Sequence, residues 1–318
     1  MTNLATKIKK AGSKRKLGQE ILRHWQLYLF LAVPLAYILI FAYQPMFGVQ
    51  IAFKNFSAGQ GIWGSEWVGF DHFKRFLTSY QFKSIVPNTI ILSVYGLFAS
   101  FPLQIIFALA LNSLRNLKFK KFVQTVTYMP HFISTVVLVG MMSQIFNPVV
   151  GLYPSVYRLF GGVGYPPELM GQTALFRHFY VWSGIWQGLG WGTIIYVASL
   201  ASVDPELHEA AEIDGASRLK RVIHIDLPTI LPTASIMLIL NSGSIMSVGF
   251  EKVYLMQKPL NLQVSEVLST YVYKVGMEAG ANNFSYSTAI NLFNSVINCI
   301  LLVIVNGICG KLGETSLF

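Results

Sequence analysis

Charge is scarce in this sequence. Of its 318 residues only 12% are charged against 53% hydrophobic, a balance outside that of a soluble domain, so the chain belongs in a membrane. No G-x-x-x-x-G-K-[ST] phosphate loop is present: Gly307 to Gly310-Lys311 has the wrong spacing and no Ser or Thr after it. Any ATP hydrolysis therefore resides on another chain. The six histidines are scattered. His208-Glu209-Ala210-Ala211-Glu212 nearly spells a zinc-protease helix but lacks the second histidine, so neither a metal site nor a catalytic residue is expected. Only Cys299 and Cys309 are present; ten positions apart on a helix is about 15 Å of rise, beyond disulfide reach. Fixed-period repeats and low-complexity tracts are also missing.

What is present is apolar sequence in long runs. A helix needs on the order of 20 apolar residues to span a bilayer, and six stretches qualify: 25–43, 85–112, 122–146, 178–203, 229–250 and 286–310. The expectation is an all-α integral membrane protein of six transmembrane helices. It would have a basic N-terminal tail (1–24), a membrane domain (25–310) and a short C-terminal tail (311–318). The first run contains Pro34 and ends in Tyr43-Gln44-Pro45, with no small-residue cleavage site, so it reads as an anchor. The net charge of +10 comes as clusters flanking apolar runs, which favours anionic lipid over nucleic acid. Lys7, Lys9, Lys10, Lys14, Arg15, Lys16 and Arg23 in the tail, and Arg115, Lys118, Lys120 and Lys121 in the link 113–121, place both termini in the cytoplasm. The longer loops, 44–84 and 147–177 among them, then lie outside and read as irregular.

The loop 204–228 reads as two short helices. Asp204 suits an N-cap, Pro205 the first helical position and Glu206 the positive end of the dipole, while Leu207, Ala210 and Ala211 share a face. Asp214-Gly215 breaks the helix. Ser217 then caps a second one carrying Arg218, Lys220 and Arg221, which ends near Leu227-Pro228. On physics alone this is a stiff projection or an amphipathic connector on the membrane surface.

Glu209-Ala210-Ala211, Gly215 after three residues, and Ile225, Leu227 and Pro228 after nine more match the EAA loop of ABC importer permeases. The chain is similar to that family along nearly its whole length. Val68-Gly69-Phe70-Asp71-His72-Phe73, Ser183-Gly184-Ile185-Trp186-Gln187 and Glu212-Ile213-Asp214-Gly215-Ala216 resemble its sugar-uptake members. Val248-Gly249-Phe250-Glu251-Lys252, Ser269-Thr270-Tyr271-Val272-Tyr273, Leu292-Phe293-Asn294-Ser295-Val296-Ile297-Asn298 and Glu314-Thr315-Ser316-Leu317-Phe318 resemble the branch for oligosaccharides of polygalacturonan, aldouronate or alginate type. The resemblance implies a type I ABC importer permease fold in a bacterial cell membrane and a second, related permease. It also implies two cytoplasmic ATPases that bind ATP and Mg, an extracytoplasmic solute-binding protein, and no cofactor on this chain. Glu209, Ala210, Ala211, Gly215, Ile225, Leu227 and Pro228 would then couple it to an ATPase.

For an oligosaccharide substrate, candidate pathway residues are uncharged. Asn291, Asn294, Ser295 and Asn298 form a polar stripe at i, i+3, i+4 and i+7, and Asn241, Ser242, Ser244 and Ser247 interrupt the fifth run. Amides and hydroxyls suit a polyhydroxylated cargo; they equally suit interhelical hydrogen bonds. Trp186 beside Gln187 can stack on a sugar ring, whereas Trp182 reads as an interfacial aromatic. Gly184, Gly188 and Gly192 read as tight packing on a neighbouring helix, that of the second permease. Glu251 is either a hydroxyl or binding-protein contact or a solvated rim charge. No basic pathway favouring anions is visible. Two other readings stay open: an importer of another solute, since the EAA loop is silent on cargo, and a membrane-bound enzyme, which would show paired carboxylates or a metal cluster.

Overall fold

The computed structural model describes residues 23–278 and 283–311; the basic residues of the tail before Arg23 and the terminal segment Glu314 to Phe318 lie outside them. The chain divides after Gly69 into two compact units.

In the first unit, helix α1 spans Trp25–Phe53, ten residues longer than the expected anchor. It passes through a π-helical turn at Leu39–Tyr43 and closes as a 3-10 helix at Phe47–Phe53. Pro34 sits inside the helix, and no residue of Trp25–Ile38 is buried. A helical stretch this apolar, with no buried residue, suits surroundings of lipid. The segment beyond is not irregular throughout, because β1 (Lys54–Asn55) pairs antiparallel with β2 (Glu66–Trp67). The Lys54 ammonium donates to the Ile62 carbonyl at 2.8 Å, and the Phe53 ring stacks on Trp67.

The second unit is a helical assembly with α3 (Tyr80–Asn112) and α7 (Thr173–Leu200) as its spine. Before α3 lies the short α2 (Asp71–Thr78), and Ser79 caps α3 by accepting from the Phe82 amide at 3.2 Å. One face of α3 meets three apolar clusters in turn. Ile85 joins Phe76, Leu268, Tyr286 and Ile290; Leu92 joins Met142, Val181, Ile185 and Val253; Ala108 joins Tyr196, Leu200, Ile230 and Ala234. Burial of each such side chain is worth about 1.5–3 kcal/mol from water, although within a bilayer close packing carries more of the association.

The third apolar run is not one straight span. α4 (Leu117–Phe132) and α5 (Thr135–Ile145) meet at 97°. Pro130 lacks an amide to continue the ladder, and Ser134 restarts a helix by accepting from the Val137 amide at 3.3 Å. The carbonyl freed at Ile133 receives the Gln187 amide of α7 at 2.7 Å, as backbone in a membrane protein requires. α4 crosses α7 at Gly190, where a Cβ would lie 2.3 Å from the Thr127 carbonyl oxygen; only glycine permits that approach.

After α6 (Leu152–Leu159) and α7 come α8 (Pro205–Ile213) and α9 (Arg218–Ser242). The expected second short helix of the loop is the first turn of α9, which continues through a π-helical stretch at Val222–Asp226 past Pro228 and Pro232. α9 ends at Ser242, short of the expected 250. Asn298 of α12 (Phe284–Lys311) holds the broken end, accepting from the Met246 amide at 2.9 Å and donating to the Ser247 hydroxyl at 3.0 Å. Between them, α10 (Phe250–Met256) and α11 (Leu268–Tyr273) are fastened to the spine. Asn88 donates to the carbonyls of Gln263 and Glu266 at 2.8 and 3.2 Å, and Asn261 to that of Met170 at 3.0 Å.

Among the described residues, four helices are long and apolar enough to cross a membrane: α1, α3, α9 and α12, with α4 and α5 as a fifth if the bent pair is one span. α7 has the length but carries Arg177, His178, Gln187 and four glycines.

Candidate functional site: a capped knob and a polar groove

The α8 knob is built by local rules. Asp204 accepts from the Glu206 amide at 3.0 Å and Pro205 occupies the first turn. At the other end Gly215 takes the left-handed conformation, φ +75°. That lets the Ala216 amide reach back to the Ala211 carbonyl at 2.9 Å, closing the helix. Ser217 caps α9 through the Lys220 amide at 3.4 Å. Glu209 and Ala210 are exposed, as are Leu207, Ile213 and Leu219, while Ala211 is half-buried. The rest of the motif lies at the stem. Ile225 is half-buried, Pro228 exposed, and Leu227 packs on the Ala108–Tyr196 cluster.

Residues that sequence reasoning passed over fasten the knob's base. Asp226 is buried, 3% exposed. Its Oδ1 accepts from Asn112 of α3 at 3.3 Å and lies 3.2 Å from His208 Nε2 of α8. Arg221 of α9 pairs with Glu212 of α8 at 2.8 Å; Glu212 is mostly exposed, so that pair is worth under about 1 kcal/mol. Arg115 and Arg218 join these residues around a cavity of about 280 Å³. A lone acid within Ile225-Asp226-Leu227-Pro228, at the mouth of an apolar run, was the available signal.

The second site is a groove between α3, α7, the end of α9 and α10. Two cavities of about 400 and 340 Å³ share Gly96, Ser100, Gln104 and Tyr180 and run into one another. Of the predicted pathway residues, Gln187, Asn241 and Ser247 line it. The others lie elsewhere. Trp186 borders a separate apolar cavity of about 480 Å³ with Met141, Met142, Phe146 and Trp182. Ser244 bonds back to the Asn241 carbonyl at 3.2 Å. Asn298 is engaged at the end of α9, Asn291 and Glu251 are exposed, and the Asn294 Oδ1 is buried without a partner among the described residues. Two glycines of the ladder pack within this chain: a Cβ at Gly192 would lie 2.4 Å from Gln104 Nε2 and one at Gly184 3.2 Å from Lys252 Nζ, whereas Gly188 meets nothing within 4 Å. Gly184 and Gly192 thus make room for groove side chains.

Lys252 was missed. It follows the exposed Glu251 but turns inward. Its ammonium donates to the Tyr180 carbonyl at 2.9 Å and lies 4.9 Å from the centre of that ring. None of the ion pairs among the described residues includes it. It lies beyond the end of α9, and burial pushes its pKa down to about 8. The Ser93 hydroxyl, also lining the groove, is buried with no hydrogen-bond partner among the described residues. No metal-binding group of His, Cys, Asp or Glu is found among them.

A family model described as binding-protein-dependent transport system inner membrane component matches residues 100–312. The Protein LplB of Bacillus subtilis (strain 168) is 42% identical over 292 residues, covering 92% of this chain and 91% of that protein. The polygalacturonan/rhamnogalacturonan transport system permease protein YteP of the same organism is 39% identical, covering 98% and 96%. Among solved structures, a bacterial ABC transporter involved in the import of the acidic polysaccharide alginate contains a chain 34% identical, TM-score 0.83, covering 93% of this chain and 99% of that one. A bacterial alginate ABC transporter in complex with alginate pentasaccharide-bound periplasmic protein gives 33% identity and TM-score 0.84, covering 94% and 99%.

Proposed function

The chain belongs to the family of binding-protein-dependent transport system inner membrane components, and from that premise we propose that it carries oligosaccharides delivered by an extracytoplasmic binding protein. It is a permease subunit of an ABC importer and not an enzyme. In this reading α7 supplies a sixth crossing of a type I permease, packed along α3. Both termini, with the tails 1–24 and 311–318, face the cytoplasm. A second permease completes the pathway, and two cytoplasmic ATPases bind ATP and Mg. The names of the relatives and the polar, hydroxyl-lined groove support the cargo class.

One observation carries the coupling assignment: the exposed Glu209–Ala210 surface of the knob is joined through buried Asp226 to both α3 and α9. α3 carries Ser93, Ser100 and Gln104, and α9 carries Asn241. A push on α8 is therefore delivered to two walls of the groove. From Asp226 to Asn241 the helix rises about 22 Å, a stiff lever between the two sites. ATP-driven closure of the ATPases would bring the knobs together and open the groove outward to the loaded binding protein, an exchange between two packings of the helices.

Gly215→Pro is the test, because proline cannot adopt φ +75°. In proteoliposomes holding the complete transporter, ATP-dependent uptake should disappear while the subunit still inserts. Normal uptake would remove Glu209, Ala210, Ala211 and Gly215 from the coupling role.

A further inference from the structure

We propose that Lys252 recognises a carboxylate in the groove, so that the cargo is an acidic oligosaccharide; this rests on the oligosaccharide reading above. Even a partly buried ammonium, as that of Lys252 is, costs desolvation and is kept where it is paired or used. Here the ion pairs of the described residues leave Lys252 out. Its resolved partners are the carbonyl and ring of Tyr180. A lysine ammonium has three donors, and the Tyr180 carbonyl takes one. Gly184 leaves open the space that a side chain would fill 3.2 Å from the Nζ. Gln104, Ser100 and the unpartnered Ser93 hydroxyl continue along the same groove. One cation beside uncharged donors and acceptors fits a sugar bearing a carboxylate among its hydroxyls, and it gives a neutral sugar nothing that an amide would not.

A purely structural role would make Lys252 a fastener between α10 and α7 through the Tyr180 carbonyl. Uptake by the complete reconstituted transporter distinguishes the two, with trigalacturonate and its methyl ester as probes of equal size and different charge. Lys252→Met should lower acid uptake about tenfold, the value of one charge-assisted hydrogen bond, and leave ester uptake within about twofold. Lys252→Arg should restore the acid. Gly184→Ala keeps the charge but crowds it, and should also lower acid uptake. The binding protein is common to all assays, so its own preference cancels between variants. Equal losses for acid and ester in Lys252→Met, or no loss for the acid, overturn the proposal. Where the wild type carries only the acid, Arg failing to exceed Met does so; where Met fails to assemble, unimpaired acid uptake by Gly184→Ala does. A wild type that carries neither probe, although it assembles and hydrolyses ATP, instead counts against the oligosaccharide reading.

Discussion

The knob and the groove are built by opposite means. Each device that starts or stops the knob's helix acts within about one helical turn of itself: Asp204 starts it, Gly215 ends it, Ser217 restarts the chain. The groove is assembled from four distant segments, with Ser100 and Gln104 from α3, Tyr180 and Gln187 from α7, Asn241 from the end of α9 and Lys252 from α10. Local chemistry therefore specifies where the ATPase would push, and tertiary packing specifies what the push would move. Substitutions should separate the two.

The largest effect is expected where packing alone permits the groove. Gly190→Ala places a methyl 2.3 Å from the Thr127 carbonyl oxygen of α4, so two backbones must part. A loss of about 1–3 kcal/mol or more follows, seen as a lowered unfolding temperature in detergent. At Gly192, two residues away on α7, the obstacle is the movable end of Gln104. Gly192→Ala should leave that temperature nearly unchanged and reduce uptake several-fold by displacing the Gln104 amide. Equal melting of the two variants would show that the groove does not depend on this crossing.

Next come the knob's two anchors. Asp226→Ala strips the half-buried Asn112 and His208 of their buried acceptor and should cost about 1–3 kcal/mol. Glu212→Ala breaks a pair whose acid is exposed, 62% at the side chain, and should cost under about 1 kcal/mol. Uptake should fall with Asp226→Ala and hold with Glu212→Ala. The reverse order would place the coupling strain at the rim of the knob.

This division explains what was legible in sequence. Capping, proline position and the glycine turn are short-range, so the knob's first helix was readable from its residues. The continuous α9 was not. Leu227-Pro228 reads as the beginning of a new span, yet the π-helical stretch Val222–Asp226 just before it accommodates the proline inside one helix that runs from Arg218 to Ser242. Asn298 reads equally as pathway or as interhelical bond. Its two hydrogen bonds to residues about fifty positions away are invisible to periodicity. Lys252 was hidden for the same reason, since only the fold of the segment after α9 decides that Glu251 faces out and its neighbour in.

The smallest predicted effect sharpens the comparison because it reaches the groove and spares the knob. Lys252 is held at about 8, below its ordinary value of 10.5, by burial. Of the residues lining that part of the groove, only Tyr180 is otherwise titratable, and Glu251 is exposed. If the ammonium receives an acidic cargo, uptake should fall as external pH rises from 7 to 9, by at most about tenfold and less where bound cargo holds the proton. Stability moves the other way. Between pH 8 and 10.5 the unfolded chain holds a proton at Lys252 that the folded chain has released, so folding is favoured as pH rises through that window. Alkaline loss of uptake without alkaline melting thus separates titration of the groove from unfolding. Lys252→Arg, whose guanidinium stays charged, should flatten the uptake profile over the same range. A profile unchanged by that substitution would assign the alkaline limb to another subunit.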